Sequence, residues 1–402
     1  MSNKDYFLTW SSQRGGKTVS TVGGEGVHLT MSDGSSWLDL GSLSYQGNLG
    51  FGHPDVVSAI QKQAGEMCLT MPNASFPVKD ELAKRLLELA PEGFTKVFFT
   101  LGGSEANENA MKIARLATGR HKFLARYRSY HGASLGALGL TGDFRRPPLE
   151  PGIGNVVHIL GHDAAHLEEV MELEGRGSIA AVFMEPIPGA NGVLLPSPDY
   201  WPRMRAACDD HGTLLVADEV LTGFGRTGRC FGFEHEGVVP DMITVAKGLT
   251  AGYAPLGAVL VHERVASYFD DAVLYAGLTN YAHPLCCAAA LASLKVYDAG
   301  QLYTRAAILE PVLLAELEAI AQAQPKHASS PRGRGLLAAL DIEGDPAFWT
   351  RLGQAIAKRR LLLHLSERRG TAIFAPPLII DEAVLKEGLR AFSDALAEAG
   401  SR

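Results

Sequence analysis

Basic residues, cysteines and long apolar runs are all scarce in this sequence. Its 37 lysines and arginines are outnumbered by 44 aspartates and glutamates, leaving a net charge of −7. That balance argues against nucleic acid or an anionic membrane as a partner. No apolar run approaches the roughly 20 residues of a membrane span. The five cysteines (Cys68, Cys208, Cys230, Cys286 and Cys287) are odd in number and scattered. They suit free thiols in a reducing compartment, so a cytoplasmic location is expected. The adjacent Cys286 and Cys287, flanked by Leu285 and a run of alanines, read as small packing residues. The opening stretch MSNKDYFLTWSSQRGG lacks the basic, apolar, small-residue order of a secretory signal. Neither Walker A nor dinucleotide-type glycine spacing occurs, so a nucleoside triphosphate is not suggested. There is no internal repeat or low-complexity tract, and no metal is expected.

What is present is ordinary globular composition, 46% hydrophobic and 20% charged over 402 residues, long enough for at least two domains. Residues 1–48 read as a peripheral segment with short β pieces at Gly26–Met31 and Trp37–Leu40. Apolar residues at helical spacing mark Val56–Cys68 and Asp80–Ala90. From about residue 95 strands alternate with helices. The strands are Val97–Thr100, Val156–Leu160, Ile179–Pro186, Leu214–Asp218, Met242–Ala246 and Gly257–His262. The helices between them are Ser104–Ala117, Ala164–Glu174 and Tyr200–His211. This is an α/β pattern, implying a mostly parallel sheet covered on both faces. An alanine-rich helix, His283–Asp298, leads out to helix Gln301–Ala323, a loop Pro325–Gly335 and strand Leu336–Ile342. Helices Ala347–Arg360 and Asp381–Ala399 complete what reads as a separate α+β unit.

Two apolar runs each end on a charge: Leu214–Ala217 lead into Asp218, and Ile243–Ala246 lead into Lys247. In an open α/β sheet, ligands sit at the carboxyl ends of the strands. An acid for a protonated ring nitrogen and a lysine for a Schiff base are what pyridoxal phosphate requires. A desolvated lysine also has a lowered pKa and a nucleophilic amine. A salt bridge between the two is the competing reading; Gly248, Gly252 and Gly257 around Lys247 favour a loop that admits substrate. After strand Val97–Thr100, Gly102 and Gly103 permit close backbone approach, and Ser104 is placed to cap the next helix. The start of that helix would favour a phosphate, though an ordinary strand-to-helix turn looks the same. Tyr130-His131-Gly132 could stack on a flat cofactor or be a buried tyrosine with a satisfied histidine. Glu185 ends an apolar strand, as either a site carboxylate or an ion-pair partner for a structural arginine.

Taken together, the motifs GGSEANENAMKIAR, RSYHGAS, EPIPGANG, LLVADEVLTGFGRTG, AKGLTAGYAPLGAV and GLTNYAHP resemble the class III pyridoxal-phosphate aminotransferases of fold type I. The match runs from about Tyr6 to the last helix, with the motifs in the family's order. The resemblance implies a large, mostly parallel domain of seven-stranded type over residues 49–298. It also implies a small α+β domain from residues 1–48 and 299–402. By the same resemblance Lys247 is the Schiff-base lysine and proton shuttle, and Asp218 keeps the pyridine nitrogen protonated. Val220 and Tyr130 would flank the ring, with His131 and Glu185 nearby and the phosphate on Gly103 and Ser104. Thr279 would reach the phosphate of the partner subunit, so a homodimer with shared active sites is implied, and dimers could pair into tetramers.

Within the family, FLTWSSQ, ARYRSYHGAS followed by LTGDFRR, and the SERR ahead of IFAPPLII look like the taurine:pyruvate and omega-amino-acid:pyruvate branch. Tyr45 and Trp10 would then border the substrate, and Arg368 or Arg369 would hold its acid group, ahead of Arg128. Ornithine- and 4-aminobutyrate-type relatives carry a glutamate after the EPxxG motif that pairs with a gateway arginine for 2-oxoglutarate. Here that position is Ala190, which favours pyruvate or a similar small oxo acid. The expected activity is transamination from an amine donor to an oxo acid. An aminomutase, racemase or decarboxylase built around the same lysine is the alternative, and a cofactor-free binding protein is the reading from another class.

Overall fold

The computed structural model describes residues 5–401 apart from residues 15, 17, 153, 162 and 163. It opens with three short strands, β1 (Thr21–Glu25), β2 (His28–Met31) and β3 (Ser36–Asp39), then a single kinked turn, α1 (Ser42–Tyr45). Helices α2 (Pro54–Glu66) and α3 (Pro77–Leu89) follow. Each starts two or three residues before its apolar spacing does, because a proline at the first helical position presets the backbone.

The central part runs β4 (Phe94–Thr100), α4 (Gly103–Thr118), β5 (Lys122–Arg126), α5 (Leu135–Leu140), β6 (Val156–Ile159), α6 (Ala164–Glu174) and β7 (Ile179–Met184). It continues through α7 (Tyr200–His211), β8 (Leu214–Asp218), β9 (Met242–Val245), β10 (Gly257–His262), α8 (Glu263–Ala266) and α9 (Pro284–Ala299). Among the described residues, seven strands form one sheet in the order β4-β10-β9-β8-β7-β5-β6. Six of them run in one direction, and β10 is reversed, antiparallel to both β9 and β4. Alternation of side chains loads both faces. Phe123 and Ala125 pack with Ala106, Ala110 and Ile113 of α4, while Leu124 between them joins the layer of Leu167, Met171 and Met204. Each of the large side chains here (Phe123, Ile113, Leu124, Leu167, Met171 and Met204) stabilises the fold by about 1.5–3 kcal/mol when taken from water, and each alanine by less. Gly119 and Gly212, both with left-handed backbone, end α4 and α7.

The last part holds α10 (Leu302–Ala323), β11 (Ala328–Arg334), β12 (Leu337–Ile342) and α11 (Pro346–Lys358). After these come β13 (Leu361–Leu362), β14 (His364–Ser366), β15 (Thr371–Phe374) and α12 (Glu382–Gly400). The stretch expected to be a loop, Pro325–Gly335, is mostly strand β11. It pairs antiparallel with β12 and accommodates Ser330 and Pro331 in an irregularity of register between Ser329 and Arg332. Strand β13 pairs parallel with β3, joining the two ends of the chain. The fully buried Arg226 ties the same regions together. Its guanidinium donates to the carbonyls of Leu336 (3.0 Å) and Pro376 (2.6 Å), to Ser42 Oγ (3.0 Å) and to Asn48 Oδ1 (2.7 Å). Among the described residues, no helix is long and apolar enough to cross a membrane.

Candidate active site

Strand β8 ends on Asp218, and its parallel neighbour β9 leads straight into Lys247, so both side chains open into the crevice at the carboxyl edge of the sheet. The crevice is a cavity of about 330 Å³ whose lining includes Gly103, Ser104, Tyr130, Glu185, Asp218 and Lys247. Lys247 has φ +32°, a conformation that costs energy for any residue but glycine and that clusters at functional sites.

Asp218 is 3% exposed and is held from three directions. Its Oδ2 accepts from Asn107 Nδ2 (2.8 Å) and lies 2.7 Å from His131 Nδ1, and its Oδ1 accepts from the Val220 N–H (3.0 Å). The carboxylate and the lysine therefore do not form the salt bridge that the sequence left open. Among the described residues, Lys247 has no hydrogen-bond or ion-pair partner, and its Nζ stands 5.5 Å from the centre of the Tyr45 ring. Asn107 fixes the assembly: its Nδ2 also donates to the His131 carbonyl (2.8 Å), and its Oδ1 accepts from Thr244 Oγ1 (2.9 Å).

The electrostatics follow from burial and from these neighbours. Desolvation pushes the His131 imidazole down, but its hydrogen bond to Asp218 and that carboxylate's charge outweigh burial and raise its pKa. Desolvation lowers the Lys247 amine, with Arg145 and Arg226 acting the same way, against the pull of Asp218 and Glu185. A lysine so placed is more readily a neutral nucleophile. Burial raises the Glu185 carboxyl to about 7, with the charge of Asp218 adding to it, while His131 and a hydrogen bond from the Tyr130 N–H (2.8 Å) oppose.

At the other end of the cavity α4 begins at Gly103. The first N–H groups of a helix have no acceptor within it and attract a phosphate. Ser104 was expected to cap this helix, and it does not. It lies inside the first turn, where its Oγ accepts from the Ala133 N–H (3.2 Å), while Glu105 Oε2 accepts from the Leu101 N–H (2.9 Å). Glycines are needed on both sides of this seat. A Cβ on Gly103 would meet Val220 Cγ1 at 2.7 Å, and one on Gly132, at φ +136°, would collide with Ser104 Oγ. An anion seat, a buried carboxylate, a free amine and an aromatic wall around one cavity fit a phosphorylated pyridine aldehyde.

The remaining candidates fall into three groups. Val220, half-buried, lines the cavity beside Gly103. Tyr45 stacks on His364 with ring centres 3.9 Å apart, and Trp10 is exposed with its ring edge-on to Tyr130 at 6.4 Å. Arg368 and Arg369 do not line the cavity. They lie at 4.5 and 5.8 Å from the Phe144 ring, and Arg128 is turned to the Asn191 carbonyl (3.1 Å). Thr279 is exposed and does not line this cavity. The sequence reading passed over Asn107, inside a motif it quoted, and Arg145, within LTGDFRR. Arg145 packs its guanidinium 4.3 Å from the centre of the Tyr130 ring.

Known proteins match this arrangement over nearly the whole chain. The family model for class III aminotransferases matches residues 11–396. An omega-aminotransferase of Caulobacter vibrioides is 35% identical over 374 residues, covering 83% of this chain and 83% of that protein. Among solved structures, a transaminase from the marine bacterium Virgibacillus has a TM-score of 0.94 at 29% identity, covering 98% of this chain and 97% of that one. The taurine:2-oxoglutarate aminotransferase of Bifidobacterium kashiwanohense, solved with pyridoxal phosphate and glutamate, has a TM-score of 0.92 at 35% identity and covers 97% and 95%.

Proposed function

The chain belongs to the class III aminotransferases, and from that premise we propose that it moves the amino group of an omega-amino acid or primary amine to pyruvate or another small oxo acid in two ping-pong half-reactions. Taurine and β-alanine are the donors we favour. When bound, pyridoxal 5′-phosphate supplies the electron sink that lets a carbon next to nitrogen give up its proton. Lys247 would hold the cofactor through its amine, and the same amine is placed to carry that proton. Asp218 keeps the ring nitrogen charged, with Asn107 and His131 orienting its carboxylate. Gly103 and Ser104 at the start of α4 seat the phosphate, and Val220 and Tyr130 flank the ring.

The observation that carries this reading is the separation of Asp218 from Lys247. The carboxylate is occupied by Asn107, His131 and the Val220 N–H, while the amine faces the same cavity without an ion-pair partner among the described residues. Thr279, exposed and away from the lining, suits service to a second subunit's phosphate in a homodimer. Ala190 in the cavity lining supports a small oxo acid, since it offers no charge to hold a gateway arginine. All five cysteines are free, which fits a cytoplasmic location.

The test is a donor screen read as alanine formed from pyruvate, with 2-oxoglutarate run in parallel, on the wild type and on Lys247→Ala. We expect turnover with pyruvate that disappears in the variant. Full turnover in Lys247→Ala would sink the mechanism, a preference for 2-oxoglutarate would overturn the acceptor, and activity without any acceptor would point to a mutase, racemase or decarboxylase.

A further inference from the structure

Among the described residues, no side chain holds the Lys247 amine: it opens into the cavity with only the Tyr45 ring 5.5 Å away. Its direction is therefore set by the backbone that carries it. That backbone is strained. Lys247 has φ +32°, in the left-handed region that only glycine enters freely, between the buried Ala246 and Gly248. Such a conformation persists only where the surroundings over-determine it.

Helix α9 supplies the restraint. The Tyr297 hydroxyl donates to the carbonyl of Gly248 (2.8 Å), one residue past the lysine. Tyr297 is fully buried, and its ring stacks on Phe224 (6.2 Å between centres) and on Tyr303 (5.5 Å), so the hydroxyl has a fixed place. Burial raises the pKa of that hydroxyl and keeps it a donor. Gly248 also lies tight against its neighbours: a Cβ there would meet Asn48 Nδ2 at 2.7 Å and Phe224 Cβ at 3.1 Å. Asn48 Nδ2 in turn donates to the Phe224 carbonyl (3.2 Å). Phe224 belongs to the loop that follows Asp218, so the turn of the lysine is fixed against the segment that carries the carboxylate. Tyr297 itself does not line the cavity.

We propose that Tyr297 is a positioning residue for the amine: by holding the Gly248 carbonyl it keeps Lys247 in its left-handed conformation, with Nζ directed into the cavity. This rests on the aminotransferase reading, in which one amine must reach both the cofactor and the proton of the donor. It assigns the aim of that amine to a hydroxyl outside the cavity.

The strain can be read without cofactor, from the melting temperatures of Lys247→Gly and Lys247→Ala apoproteins. Both replacements remove the amine, but only glycine relieves the left-handed backbone. The gap between them should favour glycine more when Tyr297 is present than in the Tyr297→Phe background, where the turn can relax. The extra freedom of glycine in the unfolded chain is the same in both backgrounds and cancels. Tyr297→Phe keeps the ring, and the Gly248 carbonyl keeps its bond from the Ala251 N–H (3.2 Å), so the fold should persist. A general loss of stability in that background leaves the gap unaltered. An equal gap in the two backgrounds, or a larger one with phenylalanine, would overturn the proposal. In the active enzyme Tyr297→Phe should lower kcat about tenfold, with KM for donor and for pyruvate changed by no more than about twofold. An unchanged kcat, or a loss confined to KM, would overturn the proposal as well. A wild type that turns over no amine would remove the aminotransferase reading, and the melting comparison would still decide what Tyr297 holds.

Discussion

Asn107 makes three hydrogen bonds in a fully buried position, to Asp218, to the His131 carbonyl and to Thr244. Replacing it with alanine leaves three buried polar groups short of a partner, each worth about 1–3 kcal/mol, and shared networks lose less than the sum. We expect Asn107→Ala to destabilise the protein by about 3 kcal/mol and to weaken pyridoxal phosphate binding about tenfold, read from the urea midpoint and from cofactor titration of the apoprotein. Asn107→Asp should be worse, because it sets a second carboxylate within hydrogen-bonding distance of Asp218. A wild-type midpoint in either variant would show that the network holds nothing. Asp218 and Lys247 were legible in the sequence because each terminates an apolar run, which is local information. Asn107 was not, since its partners Asp218 and Thr244 lie 111 and 137 residues further along the chain. Arg145 escaped notice for the same reason: its partner Asp143 is two residues away, but the second arginine on that carboxylate, Arg369, comes from the far end of the sequence.

Among the elements, the segment after β8 depends on one buried acid. Glu219 accepts from the Phe233 N–H (2.8 Å) and from Thr222 Oγ1 (2.5 Å), closing the loop that carries Arg226. Burial raises its carboxyl from the ordinary 4.5 to about 7. A raised carboxyl pKa means that the folded state binds more protons than the unfolded chain between those limits. Its stabilisation is therefore complete below about 4.5 and is lost as pH rises through about 7. At 1.36 kcal/mol per pH unit the change amounts to about 3 kcal/mol. Glu219→Gln should flatten the decline in melting temperature between pH 5 and pH 8, roughly the interval that linkage assigns to this group. An identical slope in the variant would exclude Glu219 as the source. The turn at Gly132 makes a second prediction. Gly132→Ala forces Ser104 out of the first turn of α4, so the apoprotein should bind pyridoxal phosphate at least about tenfold more weakly while its fold persists. Unchanged affinity would separate that turn from the phosphate seat. The alternating strands and helices between β6 and β10 were read to within two residues, because strands buried on both faces are continuous apolar runs. β11 was missed because Ser-Ser-Pro-Arg-Gly has the composition of a turn, and only pairing with β12 makes it a strand.

The whole molecule converges on Arg226, a side chain that ties the N-terminal turn, the glycine-rich loop after β8 and the C-terminal part together. Its bonds to Ser42, Asn48, Leu336 and Pro376 span residues far apart in sequence, and its own carbonyl accepts from the Leu336 N–H (3.0 Å). Burial lowers its pKa, with Tyr297 and Asp39 pulling the other way; a guanidinium nonetheless stays charged at neutral pH. A planar fork is needed here, since four acceptors surround the group in fixed directions. Lysine, with three donors on a single point charge, reaches only part of them. Arg226→Lys should therefore cost nearly as much stability as Arg226→Met, about 3–5 kcal/mol in either case. The loss should open the junction first. Limited proteolysis should cut Arg226→Lys between residues 328 and 376 under conditions that leave the wild type intact, and the urea transition should broaden as the two ends of the chain uncouple from the large sheet. If Arg226→Lys melts and resists protease as the wild type does, the clamp is not what joins them, and other bonds across the junction, such as Arg332 Nε to the Gly192 carbonyl (2.9 Å) and Asn48 Nδ2 to the Phe224 carbonyl (3.2 Å), carry it.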